Sequence, residues 1–257
     1  MPPADPPRPA AVLITGASSG LGEALALEYA RPGAVLFLSG RDAGRLDGVA
    51  AACRAKGAEV HPRVLDVADR RSMEAWVEEC DDLRPLDLVI ANAGISAGTS
   101  GGGEGAEQTR AIFAVNVDGV FNTVLPAVAR MRPRRAGQIA IMASLAGYRG
   151  MPGAPAYCAS KAAVKVWGEG LRGWLAPQGI KVSVICPGFV TTRMTAANRF
   201  RMPFLMDAPR AAGIMARGLA ANRGRIAYPW PMAFLSWLGA ALPDALMERL
   251  SRLLPAK

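Results

Sequence analysis

Tyr157 and Lys161 stand four residues apart in Tyr157-Cys158-Ala159-Ser160-Lys161, and Ser144 lies 13 residues upstream. If the segment is helical, that offset puts phenol and ammonium on one face, with Cβ atoms about 5 to 6 Å apart. A free tyrosine titrates near ~10, so acid-base work near neutrality needs a shift of about three units, or ~4 kcal/mol. One ammonium at ~4 Å in an effective dielectric of ~20 supplies about that much. A hydroxyl from Ser144 would then hold a carbonyl oxygen beside the phenol, where negative charge develops as hydride reaches carbon. A Tyr-x-x-x-Lys pair on its own is common, usually a half-buried ring beside a solvated lysine. The serine spacing and a glycine-rich turn near the start single this one out.

That turn reads Thr15-Gly16-Ala17-Ser18-Ser19-Gly20-Leu21-Gly22, between an apolar β-prone run and a helical pattern. Glycines there permit a tight turn and close backbone approach to a pyrophosphate, and a helix N-terminus presents free amides and a positive dipole end. The next β-prone run ends in Leu38-Ser39-Gly40-Arg41, with no carboxylate at its tip to take ribose hydroxyls. Gly40 leaves room, and the Arg41 guanidinium is a fork suited to a 2′-phosphate. This favours NADP(H) over NAD(H). The alternative is that Arg41 is only the solvated first residue of a loop.

Strand-like runs at 11–15, 35–39, 60–65, 88–91, 139–143, 182–186 and 226–228 alternate with helical patterns at 21–30, 43–56, 71–82, 106–131, 156–176 and 209–221. Short buried strands alternating with helices predict an α/β fold, a single doubly wound Rossmann-type domain with a parallel seven-stranded sheet covered on both faces. The domain is expected over 11–228, with a disordered extension at 1–10 and an apolar tail at 229–257. Pro32-Gly33 and Pro177-Gln178-Gly179 are helix stop signals. Residues 98–105 hold five glycines and read as a rim loop. Residues 192–209 read either as an apolar lid over a substrate or as a surface excursion.

The composition fits one well-buried domain: of 257 residues, 51% are hydrophobic and 20% charged, which excludes a disordered chain and a polytopic membrane protein. The net charge of +9 is spread as scattered arginines without a basic stripe interleaved with aromatics, so no nucleic-acid partner is expected. Anionic cofactors or acidic membrane surfaces are the better use of that charge. Cys53, Cys80, Cys158 and Cys186 show no Cys-x-x-Cys pairing and are expected as reduced packing residues. The single histidine, His61, excludes a metal or triad site needing two and is expected at a strand edge.

Taken together, the chain resembles the short-chain dehydrogenase/reductase family from residue 11 to about 230. Thr15 to Gly22 matches the family's cofactor turn, which carries Gly16, Ser18, Ser19, Gly20, Leu21 and Gly22 over as cofactor-binding. Asp66-Val67 matches the pair that contacts adenine. Asn92-Ala93-Gly94 matches the stretch after the fourth strand, although Ala91 stands where many members have a first asparagine. Pro187-Gly188-Phe189-Val190-Thr191-Thr192 matches the segment that positions nicotinamide, through Pro187, Gly188, Val190 and Thr192. Asn116, Ser144, Tyr157 and Lys161 match the catalytic tetrad. The resemblance implies hydride transfer between nicotinamide and a carbonyl or secondary alcohol, with Tyr157 as proton donor and Ser144 steadying the oxygen. Lys161 would lower the tyrosine pKa and hold the ribose, and Asn116 would organise a relay water. Reduction of a hydrophobic ketone is the expected reaction; the alternative is an NADPH-binding sensor or scaffold without turnover.

The tail, 229–257, holds Trp230, Phe234, Leu235, Trp237, Leu238 and Leu242, followed by a helical pattern at Leu246, Met247, Leu250 and Leu253. Its apolar run is too short to span a bilayer, which needs ~20 residues. It is expected either to pack on the domain or a partner subunit, as in a homo-oligomer, or to lie in a membrane interface as a peripheral contact. Localisation is expected to be cytoplasmic, with membrane association if the tail binds lipid, because the first nine residues carry no secretory signal.

Overall fold

The computed structural model describes residues 9–96, 104–196, 201–243 and 245. Seven strands form one parallel sheet: β1 Ala11–Ile14, β2 Val35–Gly40, β3 Glu59–Val64, β4 Leu88–Ala91, β5 Gly137–Met142, β6 Ile180–Pro187 and β7 Arg225–Tyr228. Their order is β3-β2-β1-β4-β5-β6-β7. The chain winds outward from β1 in one direction and from β4 in the other, so the crevice at the carboxyl ends of β1 and β4 is the expected ligand site of such a sheet. β1 and β4 are wholly buried and continuously apolar, as strands covered on both faces must be.

The helices are α1 Gly20–Tyr29, α2 Ala43–Ala55, α3 Arg70–Leu83, α4 Ala106–Phe113, α5 Gly119–Arg134, α6 Pro155–Leu175, α7 Arg193–Ala196, α8 Ala208–Ala220 and α9 Trp230–Ala241. Successive strand residues face opposite layers. Ile14, Leu36 and Leu38 pack with Leu25, Leu46 and Met215 from α1, α2 and α8. Leu13, Phe37 and Ile141 pack with Met73, Val124 and Val164 from α3, α5 and α6. All four cysteines are buried, Cys53, Cys80 and Cys186 within these layers, and burial pushes Cys53 and Cys186 up to about 11, so these two stay neutral thiols. His61 lies on the edge strand β3, stacked on Phe37 at 5.2 Å and 2.7 Å from Glu59.

Three features depart from the sequence reading. The helix expected at 106–131 runs on to Arg134 but is interrupted by a π-helical turn, Ala114–Asp118, which carries Asn116. Half of its most apolar window is buried, so a rod long and apolar enough to cross a membrane serves as a core element. The apolar run at 230–243, read as broken by proline, is largely helix α9: Pro231 lies in its first turn, where a missing amide hydrogen costs nothing. Pro9 and Ala10, assigned to a disordered extension, are tied to the domain, Ala10 N donating to Asp87 Oδ2 at 2.7 Å and Arg31 Nη2 to the Pro9 carbonyl at 3.2 Å. Most of the glycine-rich 98–105 stretch and the 246–253 helical pattern lie outside the described residues.

Candidate active site

The turn between β1 and α1 is shaped by what a side chain would strike. Gly16 and Gly20 have φ of +66° and +61°, where L side chains are strained. A Cβ on Gly22 would collide with the Gly16 carbonyl. Thr15 Oγ1 accepts from Asn92 N at 3.1 Å and Ala93 N at 3.2 Å, while Asn92 Nδ2 donates to the Thr15 carbonyl at 2.9 Å. These bonds lock the turn to the end of β4, and the turn and the start of α1, Ser18 to Gly22, border the crevice.

A cleft of about 310 Å³ opens there, and every cofactor-binding residue expected from the sequence lines it. At the β2 end, Gly40 lies against Ser18, and a Cβ would come within 2.9 Å of that side chain. Arg41 is exposed, with Nη1 3.9 Å from Asp66 Oδ2. Arg45, in the first turn of α2, also lines the cleft and pairs with Asp42 at 2.6 Å; the sequence reading passed over it. Ser39 Oγ lines the same end, buried and without a hydrogen-bond partner. A glycine cradle, two arginines and an orphaned hydroxyl fit a nicotinamide dinucleotide.

At the β5 end, α6 carries Tyr157 and Lys161 on one face, as the spacing predicts. A 3-10 turn, Leu145–Tyr148, holds Ser144 against them: a Cβ on Gly147 would stand 2.7 Å from the Lys161 carbonyl carbon, so turn and helix touch backbone to backbone. Ser144 Oγ accepts from Ala146 N at 3.1 Å. Tyr157 is half-buried; burial pushes its phenol up, and the hydrogen bond with Ser144 pulls it back down. Lys161 is 3% exposed. Burial lowers its ammonium to about 8. Its Nζ donates to the Met142 carbonyl at 2.9 Å and sits 5.9 Å from the Tyr157 ring centre.

Burial therefore acts on both groups of the pair, raising the phenol and lowering the ammonium, and the ammonium is also bonded to a carbonyl at the strand end.

Asn116 does not line the cleft. It is fully buried behind Gly94, where a Cβ would meet Lys161 Nζ at 3.2 Å and Asn116 Oδ1 at 3.3 Å. Its Oδ1 accepts from Ile95 N at 2.8 Å, and Nδ2 donates to the Ile95 carbonyl and to Ser160 Oγ, both at 3.0 Å. The π turn inserts the residue that brings this amide to face α6, and such turns recur at functional sites. Ser160 and Glu104, neither given a role by the sequence reading, belong to the same framework: Ser160 Oγ donates to the Tyr157 carbonyl at 2.8 Å, and Glu104 accepts from Tyr157 N at 3.3 Å.

The segment after β6 closes the cleft. Gly188 N donates to the Tyr228 carbonyl at 2.7 Å, and a Cβ on Gly188 would meet Met232 Sδ of α9 at 3.2 Å. Thr191 N bonds the Met206 carbonyl at 2.8 Å, tying down the part of the 192–209 excursion that is described. Arg193, Met194 and Thr195 of α7 join the lining, while Phe204 and Leu205 point outward. Arg149 Nη1 binds the carbonyls of Gly239 at 3.0 Å and Leu242 at 2.9 Å, anchoring the far end of α9 near the Ser144 turn.

Comparisons with known proteins agree with this arrangement. The chain matches the short chain dehydrogenase family over residues 10–202. An uncharacterized oxidoreductase of Myxococcus xanthus is 37% identical over 241 residues, 93% of this chain and 95% of the relative. A 3-oxoacyl-acyl-carrier-protein reductase of Thermotoga maritima is 35% identical over 188 residues, 71% of this chain and 75% of the relative. A short-chain dehydrogenase from Sphingobium yanoikuyae, solved in complex with NADPH, superposes with a TM-score of 0.77 at 26% identity, covering 91% of this chain and 97% of that one. With the switch-point crevice, the glycine turn and the Tyr157–Lys161 face in place, the chain belongs to the short-chain dehydrogenase/reductase family and is an oxidoreductase of that class.

Proposed function

We propose that the protein is an NADPH-dependent reductase of a hydrophobic ketone. The observation that carries this reading is a single cleft with Tyr157, Ser144 and Lys161 at one end and Arg41, Arg45 and Gly40 at the other. Bound NADPH supplies a hydride to the carbonyl carbon. Tyr157 gives its proton to the oxygen, and Ser144 donates a hydrogen bond to that oxygen as charge builds on it. An ordinary phenol is protonated at neutral pH and can donate, and burial raises this one further. Lys161, fixed by Met142, stabilises the tyrosinate left behind and helps return a proton from solvent, with Asn116 behind Gly94 organising the relay.

The apolar walls favour a hydrophobic substrate: Met142, Val190 and Met194 line the cleft and Met232 stands at its edge. The naming of the Thermotoga relative as a reductase of a 3-oxoacyl chain supports the same class. Fluorescence titration with NADPH and NADH, followed by a panel of small, aromatic and long-chain ketones read at the nicotinamide absorbance, tests it. Tighter NADPH binding with turnover of an apolar ketone is the expected result. Tight binding without turnover of any ketone would leave a sensor instead.

We infer two surfaces outside the cleft. Leu125 of α5 and Val166 and Trp174 of α6 are exposed beside the edge-to-face pair Phe121–Trp167, and this face suits a second copy of the chain in a cytoplasmic homo-oligomer. A monomer by light scattering would contradict that. On α9, Trp230, Phe234, Leu235 and Trp237 are exposed on a helix without charge, which suits peripheral contact with a membrane. Flotation with anionic liposomes that is unchanged by removing residues 229–257 would contradict this contact.

A further inference from the structure

The helix that carries the chemistry begins without a cap of its own. α2, α3 and α8 each start after an aspartate, Asp42, Asp69 or Asp207, whose side chain accepts from the third residue on. α6 follows Ala154, which offers no side-chain acceptor, and has no acidic residue in its first turn. Pro155 lacks an amide hydrogen, so Ala156 N and Tyr157 N are donors that the helix leaves unpaired.

Both donors reach Glu104. Ala156 N bonds Oε2, and Tyr157 N bonds Oε1 at 3.3 Å. Glu104 lies 52 residues before Ala156, just ahead of α4. The other side of the same tyrosine is held too. Its carbonyl accepts from Ser160 Oγ at 2.8 Å, Ser160 accepts from Asn116 at 3.0 Å, and Asn116 bonds both backbone groups of Ile95. The peptide groups flanking Tyr157 are thus gripped by two residues, Ile95 and Glu104, of the one connection between β4 and α4.

We propose that Glu104 is a positioning residue for Tyr157. An aspartate or serine before Pro155 would cap α6 equally well for stability alone. A carboxylate borrowed from the β4–α4 connection does more: it fixes the first turn of α6 relative to the wall that carries Asn92, Ala93 and Gly94, and so sets where the phenol sits over the cleft. A displacement of ~1 Å at a reacting group can cost ~10²-fold in rate. The inference rests on the reading of Tyr157 as the proton donor.

Glu104→Ala and Glu104→Gln in the NADPH-bound protein test it by two routes. Amide exchange at Ala156 and Tyr157 should quicken by at least ~tenfold in Glu104→Ala, with α8 unaffected, whether or not a substrate is known. With a ketone that the parent reduces, kcat should fall ~10- to 100-fold while KM for NADPH stays within about twofold. Glu104→Gln keeps an amide oxygen as acceptor and should recover most of the loss. Unchanged exchange at the two amides overturns the proposal. So does a kcat within about twofold of the parent, or a loss shared equally by NADPH affinity and by exchange across the whole chain. A parent that reduces no ketone contradicts the proposed function, and the exchange experiment still decides whether Glu104 holds the helix.

Discussion

Lys161 and Met142 are joined by a buried hydrogen bond: Nζ donates to the main-chain carbonyl at 2.9 Å, at the point where β5 ends. That contact keeps the ammonium in place but does not repay its burial, and the group is lowered to about 8. A lysine whose folded pKa lies below its unfolded value destabilises the fold while it is charged. The penalty is complete below about 8 and disappears as pH rises toward the unfolded value of ~10.4. Lys161→Met should therefore raise stability at pH 7, by up to ~3 kcal/mol, and the gain should vanish near pH ~10.4. Chemical denaturation at the two pH values checks it; a variant less stable than the parent at pH 7 contradicts the assignment of a buried charge.

Removing the phenolic oxygen separates binding from chemistry. Tyr157→Phe should bind NADPH like the parent and lose at least ~10²- to 10⁴-fold in turnover, as expected for an acid-base group. Ser144→Ala should lose ~10²- to 10³-fold through the oxygen it no longer steadies. It should also leave the buried phenol higher still, because the Ser144 bond is what offsets burial. Steady-state kinetics with cofactor titration distinguish these variants; turnover within tenfold of the parent in Tyr157→Phe would sink the assignment.

Cofactor choice is expected to reside in Arg41. Its only ion pair among the described residues is a long, exposed one to Asp66, so little holds it back from a phosphate. Arg41→Ala should weaken NADPH by ~10- to 100-fold, the worth of a charge-assisted bond, and leave NADH almost unchanged. Equal losses for both nucleotides would show that Arg41 does not read the 2′-phosphate.

A single methyl group tests the junction of the Ser144 turn with α6. Gly147→Ala would place a Cβ 2.7 to 2.9 Å from main-chain atoms of Lys161 and Ala162, which cannot swing aside. The turn must lift, at ~1 to 3 kcal/mol of stability. Ser144 moves with it, so kcat should fall further than the melting temperature suggests. Gly150→Ala, with open space around it, is the control.

Much of this was legible in the sequence because the signals are local. The apolar runs needed only their own side chains to become β1 or β4, and the Tyr157–Lys161 offset needed only a helix. Asn116 is singled out by its motif, but the π turn that carries it is not, since one inserted residue in an otherwise helical pattern leaves no periodicity of its own. α9 was missed because Pro231 reads as a breaker unless the helix start is known to be one residue earlier. Glu104 and Arg45 were passed over for a different reason. Glu104 acts on partners 52 and 53 residues away, and Arg45 reaches the cleft only because α2 begins where β2 ends beside the glycine turn.

The most direct test follows hydride and proton together. The parent and Tyr157→Phe would each be mixed with NADPH carrying deuterium at both C4 positions and a ketone that the parent reduces, and the alcohol read by mass spectrometry. Deuterium on the carbinol carbon from the parent, and almost no alcohol from Tyr157→Phe at equal cofactor occupancy, is the expected result. Alcohol without deuterium, or labelled alcohol formed as fast by the variant, would contradict the account.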